Sequence, residues 1–244
     1  MERYRPHPDD ALHDRRMTAM FNRIAGRYDR LNRVMTFGLD RWWRRRLVRA
    51  LDPARHARVL DVCTGTGDVA LLLARRGHRT VGLDAAREML ALARGKDRAG
   101  WVRWCQGDCR ALPFPGGHAA GRMAPFDAAT IAFGIRNIAD RVAALRELGR
   151  VVRPGGRLVV LEALPAPSRL WRWITARYDA WIVPLMGAAL ARDRSAYRYL
   201  GGTIAGFGTA EAFERELVEA GWRPIARESF ARGSVALFVA ARDA

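Results

Sequence analysis

The stretch VLDVCTGTGDVA, residues 59–70, constrains the fold more than any other. A short apolar run through Val62 meets Gly65 and Gly67, then passes directly into the helical pattern GDVALLLARRG at 67–77. So sharp a strand-to-helix turn needs backbone conformations that glycine adopts without a Cβ penalty. The same alternation repeats downstream. RTVGLD (79–84) reads as a strand, AAREMLALAR (85–94) as a helix, WVRWCQGD (101–108) and FDAATIAFGI (126–135) as strands. DRVAALRELGRVV (140–152) carries apolar residues at helical spacing, and GRLVVLEAL (156–164) is a fifth strand. Strands alternating with helices of this length form βαβ units and a parallel sheet. The chain then closes differently. TAEAFERELVEAG (209–221) is a helix with Thr209 as N-cap, followed by strands WRPIARESF and SVALFVAAR joined at Arg232-Gly233 as a hairpin. The predicted architecture is therefore α/β: a mostly parallel seven-stranded sheet ending in an antiparallel hairpin.

At 244 residues, half of them hydrophobic, the chain suits one domain with extra elements, spanning 1–244. Residues 1–52 read as a helical N-terminal cap, in pieces broken near Gly26 and Gly38, with Asp40 as an N-cap for RWWRRRLVRAL. Residues 58–164 form the βαβ core, 168–207 a helical insertion without a convincing strand, and 209–242 the last helix and hairpin. The net charge of +17 invites a nucleic-acid reading. Yet 41 of the 42 basic residues are Arg, a bias that GC-rich coding produces without functional cause, and only residues 1–50 are dense in charge, with 13 Arg against 6 acids. Cys63, Cys105 and Cys109 show neither a C-x-x-C pair nor a His at ligand spacing, so no disulfide framework or metal site is expected and a cytoplasmic setting fits. No apolar run approaches the ~20 residues of a membrane span.

Gly65, Gly67 and Ala70 satisfy G-x-G-x-x-G/A, and Asp84 ends the next strand where ribose hydroxyls would bind. A nicotinamide dehydrogenase is thus a competitor. Asp61 argues against it, since its carboxylate, inside the first strand, would face a pyrophosphate. A cationic ligand reverses that argument, and S-adenosyl-L-methionine carries a sulfonium and an ammonium. Asp108, after the third strand, sits where a carboxylate meets an adenine edge. Each residue alone has a bland alternative: the glycines as a tight turn, Asp68 as a helix-start acid, Asp108 as a turn residue. Three acids at successive strand ends, the edge where open α/β sheets bind ligands, favour the ligand reading jointly.

At this point the chain resembles the class I S-adenosylmethionine-dependent methyltransferases, and within them the family that C-methylates quinone precursors. The resemblance rests on MFNRIAGRYDRLNRVMTFGLDRWWRR (20–45), VLDVCTGTGD (59–68), GLD with EML (82–84, 88–90), QGDCRALPF (106–114), FDAATIAFGIRN (126–137), ALRELGRVVRPGGRLVVLE (144–162) and AYRYLGGTIAGF (196–207). It implies the Rossmann-like methyltransferase fold and S-adenosyl-L-methionine as methyl donor, with S-adenosyl-L-homocysteine as product. By the same likeness Gly65, Thr66, Gly67 and Asp84 line the cofactor site, Asp108 and Cys109 meet adenine, and Ala132 lies beside the methionine part. Tyr28, Arg136 and Asn137 match positions around cofactor and substrate ring. Thr64, Ala163-Leu164 and Thr203 depart from the family pattern, and the loop 115–127 is longer than usual.

Methyl transfer to a ring carbon is an in-line displacement that needs the ring made nucleophilic by loss of a hydroxyl proton. A phenol with pKa about 10 requires help at neutral pH. Arg136 is expected to stabilise the phenolate, directly or through a water that removes the proton, Asn137 to hold that water or the methionine carboxylate, and Tyr28 to bind the ring hydroxyl or close the site as a lid. The alternatives are an Arg136 ion pair with Asp140 and Asn137 as a helix cap. A prenylated quinol implies peripheral membrane contact, for which 41–51 and 169–186 combine Arg with Trp; packing against the sheet is the alternative. No nucleic acid is expected as partner. An RNA methyltransferase lacks support because strand four ends Gly-Ile-Arg-Asn rather than Asn-Pro-Pro-aromatic, and a non-catalytic scaffold is excluded only weakly.

Overall fold

The computed structural model describes residues 8–51, 56–116, 125–166, 168 and 203–243. The chain begins with two helices, α1 (Pro8–Met35) and α2 (Leu39–Leu51). The alternation follows as β1 (Arg58–Val62), α3 (Asp68–Ala74), β2 (Arg79–Asp84), α4 (Arg87–Lys96), β3 (Val102–Gln106), β4 (Phe126–Ala132), α5 (Arg141–Val151) and β5 (Val152–Ala163). It ends with α6 (Ala210–Glu219), β6 (Trp222–Phe230) and β7 (Val235–Arg242).

The seven strands form one sheet in the order β3-β2-β1-β4-β5-β7-β6. β1 to β5 run parallel, and β7 enters antiparallel between β5 and β6. Chain order reverses between β1 and β4, so their carboxyl ends open a crevice at the switch point. Strand periodicity divides the core between the two faces. Leu60, Val62, Ile131 and Val160 point to one side, against Leu145 and Leu148 of α5 and Phe213 of α6. Val59, Ala128, Val159 and Leu161 point to the other, against Trp43 and Leu47 of α2 and Leu73 of α3.

Three boundaries differ from the sequence reading. α1 is one helix of 28 residues that runs through Gly26, which is exposed with open space around it. A glycine in a helix interior costs about 1 kcal/mol relative to alanine, and the packing of α1 on α4 outweighs it. Asp40 is not an N-cap, because α2 already starts at Leu39. Its carboxylate instead accepts from Thr36 Oγ1 at 3.1 Å and pairs with Arg44. β5 begins at Val152 rather than Gly156, across an irregularity where pairing with β4 jumps from Phe126–Val152 to Ala128–Arg157. The expected insertion at 168–207, with the 169–186 segment, lies outside the described residues except for Ser168 and a helical end at 203–206. Most of the loop 115–127 lies outside them as well.

Candidate active site

The carboxyl ends of β1, β2 and β4 border a cavity of about 710 Å³, roofed by one face of α1. Gly65, Asp84, Asp108, Cys109, Tyr28 and Asn137 all line it. A narrow cleft beside it, about 20 Å³, is bordered by Asp61, Thr66, Ala132 and again Tyr28 and Gly65. Tyr28 and Gly65 therefore stand where the two spaces meet. Gly67 and Arg136 border neither among the described lining residues.

Gly67 serves the turn. It is left-handed at φ 83, its N–H donates to Thr64 O at 2.9 Å, and a Cβ there would lie 2.5 Å from the Trp104 ring. Thr66 turns toward the helical cap: its hydroxyl donates to Asp29 of α1 at 2.6 Å and accepts from Lys96 of α4 at 2.9 Å. Lys96 also pairs with Asp29 at 2.6 Å and with Asp68 at 2.8 Å. The one lysine of the chain thus ties α1, the glycine loop and α4 together.

The strand-end acids are held differently. Asp61 is buried and accepts from Thr64 Oγ1 at 2.6 Å and Thr130 Oγ1 at 2.7 Å. Burial pushes its carboxyl up to about 6, against the pull of those hydroxyls and of Arg44. Asp84 accepts the backbone N–H groups of Gly65 and Ala86, each at 2.8 Å, and burial raises it despite them. A carboxylate has about four acceptor sites, so acceptor positions remain open to a ligand. Asp108 receives the guanidinium of Arg110 at 3.1 and 2.8 Å. Burial works to raise Asp108, but those bonds outweigh it and hold its carboxyl below the usual range. Arg110 also reaches Asp14 of α1 at 2.5 Å, which latches the cap over the Asp108 end of the cavity.

Several further residues border the cavity, among them Cys63 and Gly134. Cys63, left-handed at φ 52, lies beside Cys109; that neighbour, then burial, push its thiol well up. Gly134 follows β4, and a Cβ there would lie 2.4 Å from Cys63 Cβ, so only glycine lets the β1 and β4 loops close on one another. Asp14, Thr18 and Phe21 also line the cavity. Their helical spacing was the available signal, since with Tyr28 they recur along one side of α1.

The expectation that Arg136 faces a developing phenolate is not met. Its guanidinium is buried and pairs with Glu162 of β5, and it donates to Phe133 O at 3.1 Å. Glu162 also accepts from the Arg136 and Ala163 N–H groups, at 3.3 and 2.9 Å. A fully buried carboxylate without a cation would be costly, so the guanidinium turns inward to it. The alternative partner fails too: Asp140 caps α5 through Ala143 N–H at 2.9 Å. Asn137 is not the cap of that helix either. It ends the short 3-10 turn Ile135–Asn137, lines the cavity at 8 % exposure, and its Oδ1 is buried without a hydrogen-bond partner among the described residues.

The arrangement suits a ligand with a hydroxylated ring near Asp84, a planar base near Asp108 and Cys109, and a cationic end near Asp61 and Asn137. The sequence model of the ubiE/COQ5 methyltransferase family matches residues 10–242. The chain is 45 % identical over 207 residues to the demethylmenaquinone methyltransferase of Thermus thermophilus, covering 83 % of this chain and 91 % of that one. It is 39 % identical over 230 residues to the ubiquinone/menaquinone biosynthesis C-methyltransferase UbiE of Geobacter sulfurreducens, covering 91 % and 87 %. Among solved structures, Haemonchus contortus phosphoethanolamine N-methyltransferase 2 in complex with S-adenosyl-L-methionine superposes with a TM-score of 0.61 at 15 % identity, over 83 % of this chain and 52 % of that one. That last likeness concerns the fold alone. With the family match spanning nearly the whole sequence, the chain belongs to the ubiE/COQ5 methyltransferase family.

Proposed function

We propose that this methyltransferase moves the methyl group of S-adenosyl-L-methionine to a ring carbon of a prenylated quinol, converting demethylmenaquinol to menaquinol and releasing S-adenosyl-L-homocysteine. The observation that carries the reading is Asn137, which borders the cavity and whose Oδ1 is a buried acceptor with no hydrogen-bond partner among the described residues. Such an atom calls for a donor from a ligand, since an unpaired buried acceptor is destabilising. The naphthoquinol acceptor is favoured because the relative of higher identity is named for demethylmenaquinone alone.

Asp84 would hold the ribose hydroxyls with its free acceptor positions. Asp108 and Cys109 would border the adenine, while Gly65, Asp61 and Ala132 would enclose the methionine part. The methyl donor supplies an electrophilic carbon on a sulfonium. The quinol carbon attacks in line: a C–C bond forms, the C–S bond breaks with its electron pair leaving on sulfur, and the ring proton departs to restore aromaticity. Tyr28, at the junction of the two spaces, orients the ring hydroxyl, and Asn137 accepts a hydrogen bond from donor or quinol. Arg136 acts as a positioning residue, since its pairing with Glu162 fixes the turn that carries Asn137. The displacement itself requires no metal.

The test is transfer of tritiated methyl from S-adenosyl-L-methionine in parallel incubations with demethylmenaquinol, a demethylated benzoquinol and RNA, followed by phase partition. Organic-phase counts with the naphthoquinol are expected. Asn137→Ala should lower kcat/KM by roughly ten- to a hundredfold, the loss of one hydrogen bond to a charged or reacting group. Counts that follow the RNA, or no transfer to any acceptor, would overturn the reading.

A further inference from the structure

The corner between α1 and α2 exposes a large aromatic ring where the backbone would favour glycine. α1 closes in a Schellman motif: Gly38 N–H donates to Arg33 O at 2.8 Å and Phe37 N–H to Val34 O at 3.2 Å. The left-handed position of that motif is Phe37, at φ 51. A bulky side chain is uncommon there and costs conformational energy. The ring nonetheless stands 78 % exposed, with Val34, Leu39 and Trp42 each near half-exposed around it.

The surroundings of this knuckle carry one sign of charge. Between Leu12 and Arg49 sixteen residues are exposed; nine are Arg and none is an acid. Arg16, Arg23, Arg27 and Arg30 recur at steps of seven, four and three residues along one stripe of α1, and Arg41, Arg45 and Arg49 at steps of four along one stripe of α2. The three acids between Leu12 and Arg49 turn away: Asp14 toward Arg110, Asp29 toward Lys96, and Asp40 toward Arg44. The two stripes meet at Phe37.

We infer that the α1–α2 corner docks on an anionic phospholipid surface, with Phe37, Leu39 and Trp42 entering the headgroup–acyl boundary and the flanking arginines meeting lipid phosphates. Chemistry separates this occupant from others. A nucleic acid would satisfy the arginines but leave the apolar knuckle in water. A second copy docking through the same patch would bring nine arginines against nine. An anionic bilayer meets both features at once. On α1 the arginine stripe lies about half a turn away from Asp14, Thr18, Phe21 and Tyr28, which line the cavity, so the docking face is the outer side of the helical cap and the inference stands on the surface features apart from the quinol reading.

The test is co-sedimentation with vesicles of phosphatidylcholine alone and of phosphatidylcholine mixed with phosphatidylglycerol, with no quinol present. Binding is expected to the mixed vesicles and to weaken in high salt. Phe37→Gly removes the ring at a position whose φ suits glycine, so the melting temperature should hold or rise while vesicle binding falls roughly tenfold. Arg41→Glu with Arg45→Glu should reduce binding further and flatten its salt dependence. Turnover of a short-tailed quinol in detergent should be unchanged in Phe37→Gly, so failed docking and failed methylation are read separately. Absence of wild-type binding to the anionic vesicles would overturn the inference. So would Phe37→Gly binding as the wild type does, or a change of sedimentation coefficient without a change in vesicle binding.

Discussion

Asp61 and Asp68 flank the same glycine loop, and both feel Arg44, yet their carboxyls are driven in opposite directions. Asp61 ends β1 inside the sheet, with two threonine hydroxyls as partners, and burial lifts it to about 6. Asp68 opens α3 on the side facing the cap. Burial works to raise it too, but Arg44 and Lys96 outweigh that and hold it low. The difference teaches how the cavity is divided. Its sheet wall keeps charge without full compensation, whereas its helical roof is neutralised by ion pairs that fasten it down.

The hardest test of the sheet wall is the buried pair behind it. Glu162→Ala would leave Arg136 uncompensated in the core, and Arg136→Ala would do the same to Glu162. Each should cost roughly 3–5 kcal/mol in urea unfolding, while Arg136→Met combined with Glu162→Leu should recover most of that loss. A loss under about 1 kcal/mol for either single variant would mean that this edge tolerates bare charge, and the contrast with the cap would collapse.

Asp61 sharpens the contrast through pH. Its folded carboxyl titrates near 6 and its unfolded one near 3.8, so between these values the folded state keeps a proton that the unfolded state has released. Stability therefore falls as pH rises through this window and stays lowered above it, by on the order of 3 kcal/mol at full ionisation. Asp61→Asn should be more stable than the wild type at pH 8, with the advantage vanishing toward pH 4. Its affinity for S-adenosyl-L-methionine should fall, and that for the uncharged-sulfur product should fall less. Thermal melts across pH and calorimetric titration with both ligands would check this. Equal losses for the two ligands would remove the sulfonium from the role given to Asp61.

The parallel sheet was legible because local rules agree there: strand periodicity, Gly65 and Gly67 at a turn that needs left-handed backbone, and Asp84 and Asp108 at strand ends. The family resemblance named Tyr28 and Asn137, and both border the cavity. What escaped reading depends on contacts distant in sequence. Arg136 follows β4 as a charge leaving an apolar run would, but nothing in its spacing says whether it turns outward or back to Glu162, 26 residues away. Thr66 reads as a loop residue for the ligand, yet its hydroxyl is engaged by Asp29 and Lys96, 37 and 30 residues away. Gly26 suggested a break in α1 because propensity is local, while the packing that carries the helix through is not.

The roof supplies the smallest effect and the most specific signature. Lys96 meets Asp29 and Asp68 in pairs that are about one-third exposed, so solvent screens them and the whole cluster is worth roughly 1 kcal/mol or less. Lys96→Met keeps the apolar stem and removes the ammonium. Global stability should drop only slightly, and the drop should shrink in high salt, where the wild-type pairs are themselves screened. Local opening should respond more than global unfolding, because α1 is held by its packing on α4, this cluster and the Asp14–Arg110 latch rather than by a strand ladder. Hydrogen exchange in α1 is therefore expected to quicken while exchange in β1 and β4 stays as it was. If exchange instead quickened equally in cap and sheet, the roof would not be a separately fastened unit, and the division of the cavity into an ionic lid and an undercompensated wall would be wrong.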